Sequence, residues 1–402
     1  MRMPIWPLMA TLAVQTLATM ALYSLPAVAP AVARDLGVNG ALVGGFVATA
    51  YGVGILSALL SPALIRRYGG VRATQAVLLA ALGMLVIAGT AQGVAALAVS
   101  AVVLGLAYGA AAPASTHLLA PKTPASVFNL IMSFRQIGVP LGGVLAALVL
   151  PPFVGTLGWR TALLAETIPV LVLILLMEIP RKKWDAGLDR TRYRLAQTLM
   201  RPFALLQDPR IRRLSAGTFI FSGLQLCFVS FMTVQLTTVV RLDLVAAGQI
   251  LALYQITGSV SRPIWGWIAD RFLTPAHTLA VHGASMAAAA ALTGQFGPAW
   301  PTWAVVAVVL LAGCSAGGYT GVAYAEYAHL GGARRTEATG LGTALMFSGG
   351  MLMPTAFTAA ITASGRYELA YGAAALLALG GGALLAFGTG PWWAGRCAKP
   401  RA

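Results

Sequence analysis

The stretch SRPIWGWIADR, residues 261–271, ends a long apolar run and combines two kinds of charge. Asp270 and Arg271 close the run, as residues at the start of an aqueous loop do. Arg262 lies further in, about 12 Å along a helix at about 1.5 Å per residue. A guanidinium at that depth needs water, an anion or another polar partner. The stretch therefore predicts a membrane span that ends near Asp270 and carries a functional arginine.

The composition of the whole chain supports a membrane protein. Of its 402 residues, 58% are hydrophobic and 9% are charged, whereas a soluble domain has about 25% charged residues. We expect an all-α membrane protein with twelve transmembrane helices, each of about 20 residues. The predicted cores are 8–30, 41–64, 73–91, 94–118, 127–150, 161–179, 214–239, 247–269, 277–296, 301–326, 338–363 and 369–389.

The first apolar run resembles a signal peptide because AVAPAVA at 27–33 follows it. The run is long for a signal sequence and carries polar residues, so we interpret it as a retained first helix. The three cysteines, Cys227, Cys314 and Cys397, show no metal-ligand spacing. No zinc-protease, nucleophile-elbow or paired-aspartate pattern is present in the sequence. We therefore expect neither an enzyme nor a metal site or cofactor.

The basic residues predict the orientation of the chain. With the N-terminus in the cytoplasm, 21 of the 27 Lys and Arg residues fall in inside segments, as the positive-inside rule requires. Both termini are then cytoplasmic, and the net charge of +16 needs no nucleic-acid partner. The short loops favour a bacterial inner membrane. The expected partners are the lipid bilayer and a small-molecule substrate, and we expect a monomer.

The basic segment 181–213 divides the spans six and six. It predicts an N-terminal bundle at 1–180, a cytoplasmic linker, and a C-terminal bundle at 214–402. Weak similarities between the halves support this division, for example GLAYGAAAP at 105–113 and GCSAGGYTG at 313–321. A parallel repeat of six spans is typical of secondary transporters, with a substrate site between two pseudo-symmetric bundles.

With these features the chain resembles the major facilitator superfamily over its whole length. GWIADR at 266–271 is similar to that family's loop motif Gly-x-x-x-Asp-Arg. The resemblance implies a cytoplasmic gate formed by Asp270 and Arg271. The N-half copy, SPALIRRYGGVR at 61–72, carries Arg66 at the acidic position and Arg67 beside it, which puts the usual latch in doubt in this half.

RPIWG at 262–266 is similar to an Arg-Pro element of monocarboxylate transporters, which implies that Arg262 contacts a substrate carboxylate. Arg135, in span five, is a second deep guanidinium, and Gln136 adjoins it. Guanidinium groups suit carboxylate or phosphate ligands. A structural ion pair or snorkelling to the membrane surface would also explain either arginine. We expect one anion to bind both arginines.

Polar residues at helical spacing predict further contacts in the substrate site. Gln15, Thr19 and Tyr23 recur every four residues in span one. Other candidates are Gln225, Gln255, Ser259 and Tyr319. His117 and Glu326 are candidates for proton coupling, while Glu166 is predicted near the outer end of span six.

The sequence therefore favours a secondary active transporter of a small organic anion, specifically a carboxylate, by alternating access. A multidrug or lipophile exporter and a neutral-metabolite carrier of the same fold remain alternatives. The two arginines deep in the membrane argue against the exporter, whereas the Gln and Tyr residues are compatible with the neutral-metabolite carrier. A non-transporting sensor on the same fold is a further alternative, because a fold alone does not set a function.

Overall fold

The computed structural model describes residues 4–37, 41–185 and 195–387, and these parts of the chain contain helices and no strands. The predicted all-α fold is confirmed. Residues 186–194 of the predicted linker and the basic residues 396, 399 and 401 lie outside the described ranges. The helices are α1 (Ile5–Ala27), α2 (Ala29–Leu36), α3 (Ala41–Tyr68), α4 (Gly70–Gly89), α5 (Val94–Tyr108), α6 (Ala111–Leu119), α7 (Phe128–Arg135), α8 (Gly138–Trp184), α9 (Leu195–Met200), α10 (Pro209–Thr238), α11 (Leu244–Arg271), α12 (Pro275–Gly294), α13 (Thr302–Ala312), α14 (Thr320–Gly331), α15 (Arg335–Ser364) and α16 (Tyr367–Ala386).

Within the described ranges, 8 helical stretches are long and apolar enough to cross a membrane. Two of them, Ala125–Trp184 and Thr302–Ser364, contain 60 and 63 residues. Each is long enough for two crossings, since one crossing takes about 20 residues. In addition, α11 and α12 occupy the positions of predicted spans eight and nine. Within the described ranges, every predicted span thus lies mainly in helix.

The structure differs from the predicted spans mainly at breaks. Span five begins in α7 and continues in α8, which also contains span six. Between the two spans Gly158, with a φ of 79°, interrupts α8. Glycine adopts this left-handed conformation at no steric cost. Span ten is divided by a π-helical turn at Gly313–Gly317, which we call the π-turn. Of the linker, Leu195–Met200 is a short α-helix and Arg201–Gln207 a 3₁₀ helix.

Side-chain caps set the starts of three C-half helices. Asp208, Asp243 and Thr274 accept hydrogen bonds from the first backbone N–H groups of α10, α11 and α12. These groups have no partner within their own helix, so an accepting side chain fixes the first turn. Hydrogen bonds from Arg210 also hold the pKa of Asp208 below its usual range.

The chain forms two compact units, and each contains segments from both sequence halves. The first unit comprises the described parts of Met1–Thr123, Arg135–Leu205 and Gly331–Ala344. The second comprises the described parts of Pro124–Phe134, Leu206–Leu330 and Leu345–Ala402. The first unit thus includes the start of α15, and the second includes most of α7. The division into bundles at 1–180 and 214–402 stays a prediction.

Candidate functional site

In the second unit, Arg262 lies on α11 with 3% of its surface exposed. Its Nε donates a hydrogen bond to the carbonyl of Gly317 at 2.8 Å. The guanidinium is also close enough to Tyr254 and Tyr319 to interact with them electrostatically. Both tyrosines are fully buried. Arg262 is therefore buried in the protein interior with polar neighbours, as its predicted depth in the membrane requires.

Aromatic rings surround the two tyrosines near Arg262. The ring of Tyr319 packs edge-on against Phe221, with 5.7 Å between centroids. The ring of Tyr254 packs against Phe228 at 6.1 Å. The hydroxyl of Tyr254 is buried and has no hydrogen-bond partner among the described residues. A buried arginine that interacts with two buried tyrosines, themselves packed against aromatic rings, is an environment suited to an aromatic anion.

The π-turn explains why Arg262 can donate to a backbone carbonyl. A π-helical turn releases carbonyls from the regular helical ladder, and such turns are frequent at functional sites. Side chains from neighbouring helices bind the released groups: Ser261 Oγ and Trp265 Nε1 donate to Cys314 O at 3.2 and 3.0 Å. His282 Nδ1 lies 2.9 Å from Ser315 O. The sequence analysis missed this turn, although the glycine-rich run at 313–318 was a signal for it.

The other predicted ligands of the second unit have less specific positions. Gln225 and Gln255 are half-buried. Ser259 Oγ donates to Gln255 O at 2.7 Å, within its own helix. Gly258, on the face of Arg262, packs against the π-turn, because a Cβ there would lie 3.0 Å from Gly317 Cα. This part of the helix face that carries Arg262 is thus a contact between helix segments.

In the first unit, Arg135 is fully buried at the end of α7. Its Nη2 donates to Gln136 Oε1 at 2.5 Å. On α1, Gln15 Nε2 donates to Thr19 Oγ1 at 3.0 Å, and Thr19 Oγ1 lies 3.1 Å from the hydroxyl of Tyr108. The structure therefore joins Gln15 and Thr19 in one polar network.

The third residue of the α1 stripe, Tyr23, extends this polar face. Its hydroxyl lies 3.5 Å from that of Tyr51. Gly138 on α8 packs directly against α1, since a Cβ there would lie 2.9 Å from Gln15 Cβ. Arg135 precedes Gly138 by three residues, across the break between α7 and α8.

Asp270 binds the first turn of α7 within the second unit. Its Oδ1 accepts hydrogen bonds from the backbone N and the side-chain Nδ2 of Asn129, at 3.1 and 2.8 Å. Its Oδ2 accepts from Leu130 N at 2.9 Å. A carboxylate here satisfies N–H groups at a helix start and interacts favourably with the helix dipole. Arg271, the adjacent candidate, is exposed.

The first unit has a corresponding contact, in which the residue at the loop-motif position, Arg66, is a cation and not a carboxylate. Arg66 on α3 forms an ion pair with Glu337, which lies in the first turn of α15 and is 2% exposed. Arg334 also binds Glu337, with Nη2 at 2.5 Å, and Arg201 Nε lies 3.7 Å away. Here α3 supplies the cation and α15 the carboxylate. Arg67 is exposed and lies over the ring of Tyr68 at 5.3 Å.

The two candidates for proton coupling lie outside these clusters. His117 is half-buried, with Nδ1 at 3.4 Å from Thr336 Oγ1. Glu326 is half-buried and interacts electrostatically with Arg210. No group of three or more His, Cys, Asp or Glu side chains suited to a metal ion occurs in the described ranges.

A model of the Major Facilitator Superfamily matches residues 11–354 of the chain. The chain is 29% identical to the 4-hydroxybenzoate transporter PcaK of Pseudomonas aeruginosa over 283 residues, 61% of each protein. It is 30% identical to a gallate transporter of Pseudomonas putida over 208 residues, 44% of this chain and 45% of that protein. The matches thus span less than two thirds of the length of these relatives.

Solved structures show the same fold at low sequence identity. The human organic anion transporter MFSD10 has a TM-score of 0.77 and 16% identity, covering 96% of this chain and 100% of that one. The E. coli fucose:proton symporter FucP in the form N162A has a TM-score of 0.74 and 13% identity, covering 97% and 100%.

Proposed function

Because the chain belongs to the Major Facilitator Superfamily, we propose that it is a secondary active transporter of a small organic anion, specifically an aromatic carboxylate. The observation that carries this proposal is the buried guanidinium of Arg262 and its electrostatic interaction with the buried side chains of Tyr254 and Tyr319. The names of the relatives, transporters of 4-hydroxybenzoate and gallate, support the same substrate class. The protein would act in the bilayer as a carrier, with no covalent chemistry.

In this proposal Arg262 binds the substrate carboxylate. A buried arginine can donate two parallel hydrogen bonds to a carboxylate, and the low local dielectric strengthens them. The hydrogen bond from Nε to Gly317 O fixes the plane of the guanidinium, so the group is oriented before a ligand binds. The surrounding rings offer apolar area to an aromatic substrate.

Arg135 and the polar network of Gln15 and Thr19 are the proposed ligands in the first unit. That one anion binds both Arg135 and Arg262 stays a prediction. Both groups are buried cations, so each is expected to contribute to anion selectivity even when they act at different stages of transport.

We further propose that Asp270 and Glu337 belong to two latches that hold the cytoplasmic ends of helices together. Each joins segments from the two sequence halves: α11 with α7, and α3 with α15. Alternating access requires both contacts to break when the cytoplasmic side opens. The proposed location is a bacterial inner membrane with both termini in the cytoplasm.

Uptake into proteoliposomes tests the proposal. Labelled 4-hydroxybenzoate, a neutral sugar and a lipophilic cation are compared for saturable uptake by the wild type. Arg262→Ala should weaken carboxylate uptake at least about thirtyfold, because truncating one partner of a buried charge pair costs about 2 kcal/mol or more. Arg262→Lys should restore little, since lysine lacks the planar fork.

The matched control is Arg241→Ala, which removes an exposed arginine outside the helices and should leave uptake unchanged. Arg135→Ala should reduce carboxylate uptake as well. Saturable uptake of only the sugar or only the cation would contradict the proposal and favour the neutral-metabolite carrier or the exporter, respectively.

A further inference from the structure

Glu166 is a buried carboxyl group in the first unit that the proposed substrate site does not use. It lies on α8 and is 4% exposed. Its Oε2 lies 2.5 Å from Ser24 Oγ on α1. Its Oε1 is buried and has no hydrogen-bond partner in the part of the chain that the structure describes. A carboxyl group in this environment must either meet water or carry a proton.

The hydrogen bonds around Ser24 indicate that the carboxyl group of Glu166 carries a proton. Ser24 Oγ lies 2.7 Å from the carbonyl of Met20 as well as 2.5 Å from Glu166 Oε2. A serine hydroxyl has one proton to donate. If Glu166 were ionised, both neighbours would be acceptors and one of the two short contacts would lack a proton. If Glu166 is protonated, it donates to Ser24 Oγ while Ser24 donates to Met20, and both contacts are hydrogen bonds.

The ion pairs described on the packed elements involve carboxylates other than Glu166. Arg160 on α8 donates to the carbonyl of Ala91 and pairs with Asp35 on α2. Arg72 on α4 pairs with Glu178. The charged or titratable groups on the elements packed against α8 are Tyr23 on α1, Arg34 and Asp35 on α2, Arg72 on α4, and Arg160, Glu178, Arg181, Lys182 and Lys183 on α8 itself. None of the cations among them makes a described ion pair with Glu166.

We propose that Glu166 is a proton-binding site and that its proton is exchanged during the transport cycle, an inference that rests on the proposed function. In the arrangement described here the acid is protonated and joins α1 to α8. Release breaks the O–H bond of Glu166, leaves the electron pair on the carboxylate, and transfers the proton to water. The carboxylate would then be a buried charge without a compensating cation, which is unfavourable. Release therefore requires water to enter between α1 and α8.

The position of Glu166 links this step to the substrate site and to one side of the membrane. Ser24 directly follows Tyr23, the last residue of the α1 stripe. Separation of α1 from α8 at Ser24 would thus move the stripe. Glu166 lies about 9 Å along α8 from Arg160, whose ion pair with Asp35 is partly exposed. In the predicted orientation that end faces outward, so the proton would be exchanged with the outer side.

Infrared spectroscopy tests the proton site without any substrate. The purified wild type should show the carbonyl stretch of a buried protonated carboxylic acid at neutral pH, and Glu166→Gln should lose that band. The matched control is Glu178→Gln, which removes an exposed, ion-paired carboxylate from the same helix and should keep the band. Ser24→Ala, which keeps the acid, should shift the band because the hydrogen bond to Ser24 is lost. An unchanged band in Glu166→Gln would overturn the assignment. If Glu166→Gln does not fold, an unmoved band in Ser24→Ala would overturn it instead.

Two transport measurements test the coupling. Under an imposed pH gradient, wild-type proteoliposomes should accumulate 4-hydroxybenzoate. Glu166→Gln should lose this accumulation and retain exchange of labelled for unlabelled substrate, since the amide mimics the protonated acid. Accumulation by Glu166→Gln at the wild-type level would contradict the coupling. Absence of carboxylate uptake by the wild type would instead contradict the proposed function, while the infrared band would still test the proton site.

Discussion

Asp270→Asn is expected to release α7 from α11. The carboxylate accepts three hydrogen bonds, from Asn129 N, Asn129 Nδ2 and Leu130 N. An asparagine amide can keep the contacts of Oδ1, but its NH₂ group would face the N–H of Leu130 and lose that bond. The substitution also removes the negative charge from the start of α7.

The free energy by which Asp270→Asn weakens the contact between α7 and α11 follows from these losses. A hydrogen bond to a charged group contributes about 1.5–3 kcal/mol, and a charge at a helix N-terminus about 0.3–1 kcal/mol. The combined loss is about 2–4 kcal/mol, which corresponds to about 30- to 700-fold in the equilibrium between joined and separated helices. A change of this size should populate the separated state measurably.

Spin-label distance measurements are a suitable assay. Labels on cysteines introduced at Ala125 and Phe272, both exposed, report the separation of the two segments. The native cysteines would be replaced by serine. Asp270→Asn should broaden the distance distribution toward longer values. The control, Asp243→Asn, removes a carboxylate charge at the other end of α11 while its side-chain oxygen can still cap the helix, and it should leave the distribution unchanged. An unaltered distribution in Asp270→Asn would refute the latch.

Two further predictions concern the first unit. Arg66→Glu and Glu337→Arg should each impair substrate exchange, because like charges would meet at a buried position, and the double swap should recover part of it; an additive loss in the double variant would contradict a direct pair. Gly142→Ala should lower the thermal stability, since its Cβ would lie 2.7 Å from Met20 N on α1 and overpacking costs about 1–3 kcal/mol. At Gly143, where a Cβ meets only Tyr23 at 3.6 Å, alanine should be tolerated, and equal losses at both glycines would exclude tight α1–α8 packing as the cause.

The helical architecture could be predicted from the sequence because a bilayer imposes a simple physical condition. A span must satisfy its backbone internally and present about 20 apolar residues, and such runs can be recognised locally. Asp270 and Arg262 are predicted to be functional residues for a related reason. A charge at the end of a span or within it is costly unless it has a partner, so its presence alone marks a site.

The partners themselves could not be predicted, because they come from distant parts of the chain. Nothing local to Arg66 indicates that it binds Glu337, 271 residues away. The carbonyl of Gly317 becomes an acceptor for Arg262 only because a π-turn releases it. Likewise, the protonation of Glu166 follows from Ser24, 142 residues away. Sequence spacing identifies charged residues in apolar helices, whereas three-dimensional packing determines how each charge is satisfied.

The measurement that tests the central claim most directly is calorimetric binding of 4-hydroxybenzoate and of its neutral isostere, 4-hydroxybenzamide, to the purified wild type. The two ligands have almost the same shape and differ in charge. If Arg262 recognises a carboxylate, the benzoate should bind and the benzamide should bind far more weakly, and Arg262→Ala should abolish this difference. Equal affinity of the wild type for both ligands would contradict the account, because the buried guanidinium would then have no part in selecting the substrate.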